Sequence, residues 1–399
     1  MKKKNILLII ISVIAIVILT ILGIRYYKIT HAKIYVKLNS NLKAEFNSKR
    51  KLSSFINNIN GKLIKDPLLK TDTLGKHNYT FKYINDDNIK VEYTFTYEVV
   101  DTIPPVVWLS NSLSIPVHSD DNLLDQIMCG DNYDNNPQKE IIGDYDLNTV
   151  GNYYLTYKAT DNSNNITSKE FTLKVYQPGR GHGSINKKKP HRTNFTEVKE
   201  KYKNKDTKIG LDISKWQGEV DFKELKEAGC EFIIIRVGST RGTGGEFFVD
   251  QQYERNIEEA NKYDIPVGIY FYSYADSKEQ AQKEAIWVAK NLKHHHITLP
   301  VAFDWEDWSD FNNYKVSFYE LTEIANTFMN ELEKKGYKAM LYSSKNYLEK
   351  IWLPTKYPKW LAHYTEKTDY QGKYKFWQLC NDGKISGING PVDINIMYN

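Results

Sequence analysis

Cysteine is scarce in this chain: Cys129, Cys230 and Cys380 are far apart and odd in number. That excludes a disulfide scaffold and a CxxC zinc site, and leaves at most a single Cys230–Cys380 bridge that nothing local supports. Strong net charge is lacking too. The formal balance is +5, yet residues 180–205 alone hold nine Lys and Arg against two Glu, so the remainder is slightly acidic. The basicity belongs to a connector and not to a binding face. That connector has few aromatics and no fold around it, which argues against nucleic-acid binding. Long apolar runs are absent with one exception. A run of nineteen uncharged residues starts at Ile6, behind Lys2, Lys3 and Lys4. It is long enough to span a bilayer as a helix and longer than a signal-peptide core. The lysines favour an inside N-terminus. Residues 1–27 therefore read as a cytoplasmic stub and transmembrane signal anchor, with everything after Tyr27 outside. Cleavage after Thr30-His31-Ala32 is the competing reading.

Residues 33–177 contain a repeat. Shifted by 76 residues, Gly75 falls on Gly151, Thr80 on Thr156, Asn88 on Asn164, Phe95 on Phe171 and Val99 on Val175. Both copies alternate apolar and polar residues around an Asn/Asp-rich turn, which is hairpin chemistry on a half-buried sheet. Two all-β sandwich modules are expected, over 28–103 and 104–177, divided at Asp101-Thr102-Ile103-Pro104-Pro105. The stretches 101–109 and 154–175 resemble the Ig-like repeats of bacterial surface proteins. Asp131-Asn132-Tyr133-Asp134-Asn135-Asn136 clusters hard oxygen ligands, but it lacks the glycine and terminal Glu of an EF-hand, and it reads as a turn. Residues 178–205 are expected to be a basic flexible linker, able to lie on anionic cell-wall polymers.

After Asp206 the rhythm changes. Apolar runs at 209–213, 232–237, 267–272, 299–305, 339–342, 360–363, 376–379 and 392–396 read as strands. Helical stretches at 222–228, 253–263, 278–292 and 316–335 separate the early ones. The pattern predicts a closed parallel α/β barrel over 206–399, TIM-like with an irregular second half. In such barrels chemistry sits where strands end. Asp212 closes the first strand. Asp304 and Glu306 close the fourth, on one side of it because side chains alternate. Asp393 lies in the last strand, beside the first. Two carboxylates as close as Asp304 and Glu306 do not ionise independently, and one is held as an acid near neutral pH. His294-His295-His296 lacks the i, i+4 spacing of a ligand pair and reads as a solvated helix end. No metal and no cofactor is expected.

The order of these motifs resembles glycoside hydrolase family 25, lysozymes that cut the β-1,4 bond between N-acetylmuramic acid and N-acetylglucosamine. The resemblance rests on Gly210-Leu211-Asp212-Ile213-Ser214-Lys215-Trp216-Gln217-Gly218, Gly268-Ile269-Tyr270-Phe271-Tyr272, Asp304-Trp305-Glu306, Trp360-Leu361-Ala362-His363-Tyr364, Trp377-Gln378 and Gly390-Pro391-Val392-Asp393. It implies that Glu306 is the general acid and then the base. Asp304 would orient the 2-acetamido group, which attacks the anomeric carbon in place of an enzyme nucleophile. Asp212 and Asp393 would support the site. Tyr270, Tyr272, Trp360, Tyr364 and Trp377 either stack on sugars or fill the barrel. Arg236 either pairs with a catalytic carboxylate or forms a solvated salt bridge, and Gln378 either fixes a sugar hydroxyl or satisfies a buried group. The expected partners are peptidoglycan glycan strands and, through the first helix, the membrane. A glycan-binding protein without catalysis and a hydrolase of another N-acetylglucosamine polymer are the alternatives.

Overall fold

The computed structural model of the chain describes residues 2–179 and 192–399. The chain forms two compact units, Met1–Thr102 and Ile103–Asn399. The first unit opens with helix α1 (Lys2–Thr30). Its span Leu8–Thr30, mean hydropathy 2.8, is by length and composition able to cross a membrane.

Module 1 comes next in the same unit. Strands β1 (Val36–Leu38) and β3 (Ile56–Ile59) pair, and β2 (Lys43–Glu45), β6 (Lys90–Val100), β5 (Gly75–Asn85) and β4 (Gly61–Leu63) form a sheet in that order. Module 2, in the second unit, repeats this plan. Here β7 (Val106–Trp108) pairs with β9 (Met128–Gly130), and the sheet runs β8 (Ser112–Pro116), β12 (Ile166–Tyr176), β11 (Gly151–Thr160), β10 (Gln138–Ile142). In both modules the first sheet strand lies parallel to the last, and the other neighbours are antiparallel. The repeat places equivalent residues inside: Phe81, Phe95 and Val99 are buried, as are Tyr157, Phe171 and Val175. It also places a left-handed residue at each hairpin turn, Asn88 with φ 61° and Asn164 with φ 68°. Asn tolerates that conformation better than other side chains bearing a Cβ.

The expected linker is partly folded. Residues 180–191 lie outside the described residues. Beyond them, helix α2 (Phe195–Tyr202) is capped by Asn194, whose side chain accepts from Thr196 N, and buries Phe195 and Val198 in the barrel core. Arg192 donates to the carbonyls of Gly383 and Gly390. Residues 195–202 of the stretch expected to be linker are therefore folded, because apolar positions at Phe195 and Val198 give them a face to bury.

The barrel comprises β13 (Thr207–Ile213), α3 (Phe222–Ala228), β14 (Ile233–Thr240), β15 (Phe247–Val249), α4 (Tyr253–Lys262), β16 (Val267–Tyr272), α5 (Lys278–Leu292), β17 (Val301–Asp304), α6 (Phe311–Tyr314), α7 (Phe318–Lys334), β18 (Ala339–Ser344), α8 (Lys345–Lys350), β19 (Lys359–Ala362), β20 (Phe376–Gly383) and β21 (Val392–Tyr398). Eight strands close through the β13–β14 pairing, and β15 forms a flap on β14. The expectation of a parallel barrel fails at one strand, within the half expected to be irregular: β21 is antiparallel to both β13 and β20. The connection from Gly383 to Val392 is too short for a crossover helix, and a hairpin is what such a length permits. Alternation then separates two cores. Ile209, Leu211, Ile233, Ile235, Ile269, Phe271, Val301, Phe303, Ile394 and Ile396 face the surrounding helices. Phe232, Ile234, Ala302, Met340, Trp360, Phe376 and Met397 fill the barrel interior. Cys129, Cys230 and Cys380 are free and buried, so the Cys230–Cys380 bridge is not formed.

Candidate active site

The interior face of each strand turns polar near one mouth. Asp212 on β13 is buried and is the register partner of Asp393 on β21. Asp393 reaches this mouth because β21 is antiparallel: it stands at the start of its strand, where the parallel strands end. Asp304 closes β17 in register with Tyr272 and Tyr342. Glu306 lies two residues on, in a turn closed by Trp308 N donating to Glu306 O at 2.8 Å.

Asp212 is the best-served of the four acids. Its Oδ2 accepts from Gln378 Nε2 at 2.8 Å and from Asn395 Nδ2 at 2.7 Å. Both amides are held in that orientation from behind. Tyr342 and Tyr364 hydroxyls donate to Gln378 Oε1 at 2.9 and 3.1 Å, and Trp360 Nε1 donates to Asn395 Oδ1 at 2.7 Å. Burial raises the Asp212 carboxyl to about 6, against the pull of the two amides. The remaining acids lie higher. Burial and then the Asp212 charge push Glu306 up to about 7 and Asp393 up to about 9. Glu306 is exposed at the mouth. Burial, Glu306 and Asp212 raise Asp304 well above the carboxylate range, opposed by Arg236. Asp212 thus gives up its proton first, and its charge favours the neutral form of the others. Asp304 Oδ1 is buried without a hydrogen-bond partner, an acceptor left for something that enters the mouth.

Several expected residues sit elsewhere. Trp377 faces outward, with Nε1 donating to His363 O at 2.9 Å and its ring edge-on to Tyr202, because its neighbour Gln378 takes the inward position. Trp360 faces inward but lies a layer down, 2% exposed and edge-on to Tyr342. It orients Asn395 and is closed to stacking on a sugar. Arg236 pairs with Asp250 at 2.6 Å, a buried partner that also accepts from Lys215 N. Its influence on Asp304 is through the field alone. Tyr270 and Tyr272 are half-buried on the inward face, and Tyr364 is 52% exposed at the rim. His295 packs edge-on to Tyr253, and its Nε2 lies 3.2 Å from Glu254 at the end of α5.

Other residues enter only with the structure. Tyr342 and Asn395 complete the frame around Asp212. Trp216, 76% exposed, stands on the loop after β13 with the Lys215 ammonium over its ring. Behind Asp304, Ser273 N donates to Asp304 O at 2.7 Å. Ser273 Oγ donates to the buried Glu284 at 2.5 Å, whose carboxyl burial raises to about 8. Asp131 and Asp134 accept backbone N–H groups from their own turn, Tyr133 and Asp134 on the former, Asn136 on the latter.

Residues 211–388 match the sequence profile of glycosyl hydrolases family 25. The uncharacterised protein YegX of Escherichia coli K12 is 27% identical over 192 residues, covering 47% of this chain and 68% of YegX. Lysozyme M1 of Streptomyces globisporus is 27% identical over 205 residues, 47% of this chain and 66% of the lysozyme. The autolytic lysozyme of Clostridium acetobutylicum is 25% identical over 189 residues, 47% of this chain and 54% of its own length. The matched segment runs from the strand that carries Asp212 through the hairpin that leads to Asp393, so the likeness to glycosyl hydrolases family 25 falls on the barrel and its mouth.

Proposed function

We propose that this chain is a membrane-anchored lysozyme that hydrolyses the β-1,4 bond between N-acetylmuramic acid and N-acetylglucosamine in peptidoglycan. One observation carries the reading: Glu306, its carboxyl raised to about 7, follows two residues after a buried Asp304 whose Oδ1 has no partner, at a mouth where Asp212 is the acid that ionises first. Glu306 gives its proton to the glycosidic oxygen as the C–O bond breaks. The carbonyl oxygen of the substrate's own acetamido group attacks the anomeric carbon and closes an oxazolinium ring, whose N–H stays on nitrogen and donates a hydrogen bond to Asp304 Oδ1. Water then opens that ring, and the Glu306 carboxylate takes the water's proton. Asp212 supplies negative potential toward the oxocarbenium-like transition state, and the neutral Asp393 supports it from the neighbouring strand. Trp216, Tyr272 and Tyr364 offer partly exposed rings to sugar faces at the rim. The apolar helix α1 supports anchoring, with the barrel on the wall side. Residues 180–191, the most basic part of the chain, would meet anionic wall polymers.

The test is digestion of purified peptidoglycan by the full chain, with products reduced by borohydride and read by mass spectrometry. Reduced muramic-acid ends are expected. Reduced glucosamine ends would overturn the bond assignment, and glycan binding without products would favour a lectin.

A further inference from the structure

The sequence analysis sets a flexible linker between module 2 and the barrel, yet the two form one compact unit. The contact falls on two barrel segments: residues 307–319, which lead from Glu306 into α7, and α8, whose Tyr347 and Lys350 meet Trp108.

Three features make this a built joint. The first is the start of α7, where the initial N–H groups of a helix have no partner within it. Phe318 N donates to Asp131 O at 2.7 Å and Tyr319 N to Asn132 O at 3.2 Å, both carbonyls of module 2. Ser317 Oγ serves Glu320 N. The barrel thus borrows half of a helix cap from module 2. The second is Asn312. Its Oδ1 accepts from Cys129 N at 3.0 Å and its Nδ2 donates to Ile127 O at 2.9 Å, as a neighbouring strand would at the open edge of β9. Between these points the backbones close in. A Cβ on Gly130 would come within 2.5 Å of the Phe318 ring and 2.6 Å of the Phe311 ring. The third is a run of rings. Trp108 of module 2 lies 4.9 Å from Tyr347, Tyr347 stacks on Trp308 at 3.9 Å, and Trp308 meets Trp305 edge-on at 4.7 Å. Trp308 N is the donor that closes the Glu306 turn, and Tyr347 feels the Glu306 charge.

We propose that module 2 is a positioning part of the glycosidase: by capping α7, bridging through Asn312 and backing Trp308, it fixes residues 307–319 and with them the Glu306 carboxyl. The inference rests on the lysozyme reading. A spacer needs none of these contacts, and a carboxyl misplaced by about 1 Å is enough to slow a proton transfer severely.

The test uses the full chain and three variants outside the proton-transfer groups. Gly130→Val drives a wedge into the joint from the module side. Asn312→Ala removes the bridge. Trp108→Ala empties the ring stack, with Trp108→Phe as its conservative partner. Amide hydrogen exchange at 307–319 reads docking, and kcat, KM and the pH profile on a soluble peptidoglycan fragment read chemistry. We expect faster exchange at 307–319, a kcat lowered roughly tenfold or more with KM little changed, a shifted basic limb of the pH profile, and recovery in Trp108→Phe. Faster exchange with unchanged kcat and pH profile would overturn the proposal and leave module 2 a neighbour. Unchanged exchange in all three variants would overturn the joint itself. A wild-type chain inert on the fragment, with slow exchange at 307–319, would overturn the catalytic role by removing the lysozyme reading while leaving the joint standing.

Discussion

Within the barrel interior, four strands change character over two residues. On β14 Ile234 gives way to Arg236, on β17 Ala302 to Asp304, on β18 Met340 to Tyr342, and on β20 Phe376 to Gln378. The lower layer is apolar and fully packed. The upper layer is polar or charged, with an acceptor on Asp304 left unpaired. The same face of the same strands thus serves stability at one level and chemistry at the next. Burial does both: it drives the lower layer together and pushes the acids of the upper layer toward their neutral forms.

Substitutions at the two levels should separate activity from stability. Glu306→Gln should lower kcat by about a thousandfold, within the range for loss of a general acid, while its melting temperature stays at or above that of the wild type. Turnover and calorimetry on one preparation check both. In the lower layer Phe232→Ala should cost about 3 kcal/mol or more of stability, read by denaturant titration, with kcat per folded molecule nearly unchanged. Comparable losses of both quantities in either variant would erase the distinction between layers.

The acids also predict how stability depends on pH. Their folded values lie above those of the unfolded chain, so the folded state binds more protons. The stabilisation is full below the unfolded range of about 4. It fades as pH rises through about 6 for Asp212, about 7 for Glu306 and about 9 for Asp393. The barrel should therefore melt at progressively lower temperature from mild acid to pH 9, and Asp304→Asn should flatten that slope. A smaller effect is expected behind Asp212. Asn395→Ala removes one of its two amide donors and should raise its pKa and lower kcat by about tenfold, a loss of roughly 1.4 kcal/mol. A pH profile of kcat/KM in that variant checks the direction.

Much of this is legible in the chain. The strand that ends at Asp304 stands where the apolar run sets it, with Glu306 in the turn beyond rather than on the strand, and helices at 222–228 and 278–292 stand where the apolar spacing sets them. The strand period of two separates Trp377 from Gln378, and it also links Asn395 to Asp393. Treating Trp377 as a site residue and passing over Asn395 both neglect a signal that is present. The antiparallel β21 can be inferred from its short connection. Three features have no local signature. Asp250 reaches Arg236 from a loop, α2 depends on just two apolar residues in a basic run, and the joint of module 2 is made largely by backbone atoms, which composition does not mark.

The central claim is that Glu306 is an acid whose proton is held near neutral pH by burial and by Asp212. The pH dependence of kcat/KM for the full chain on a soluble peptidoglycan fragment tests it most directly, because the basic limb reports the essential acid of the free enzyme. The expected limb lies near 7, where the Glu306 carboxyl loses its proton, and moves to lower pH in Asp212→Asn as the neighbouring charge is removed. A profile flat through pH 9, or a limb that Asp212→Asn leaves in place, would contradict the claim.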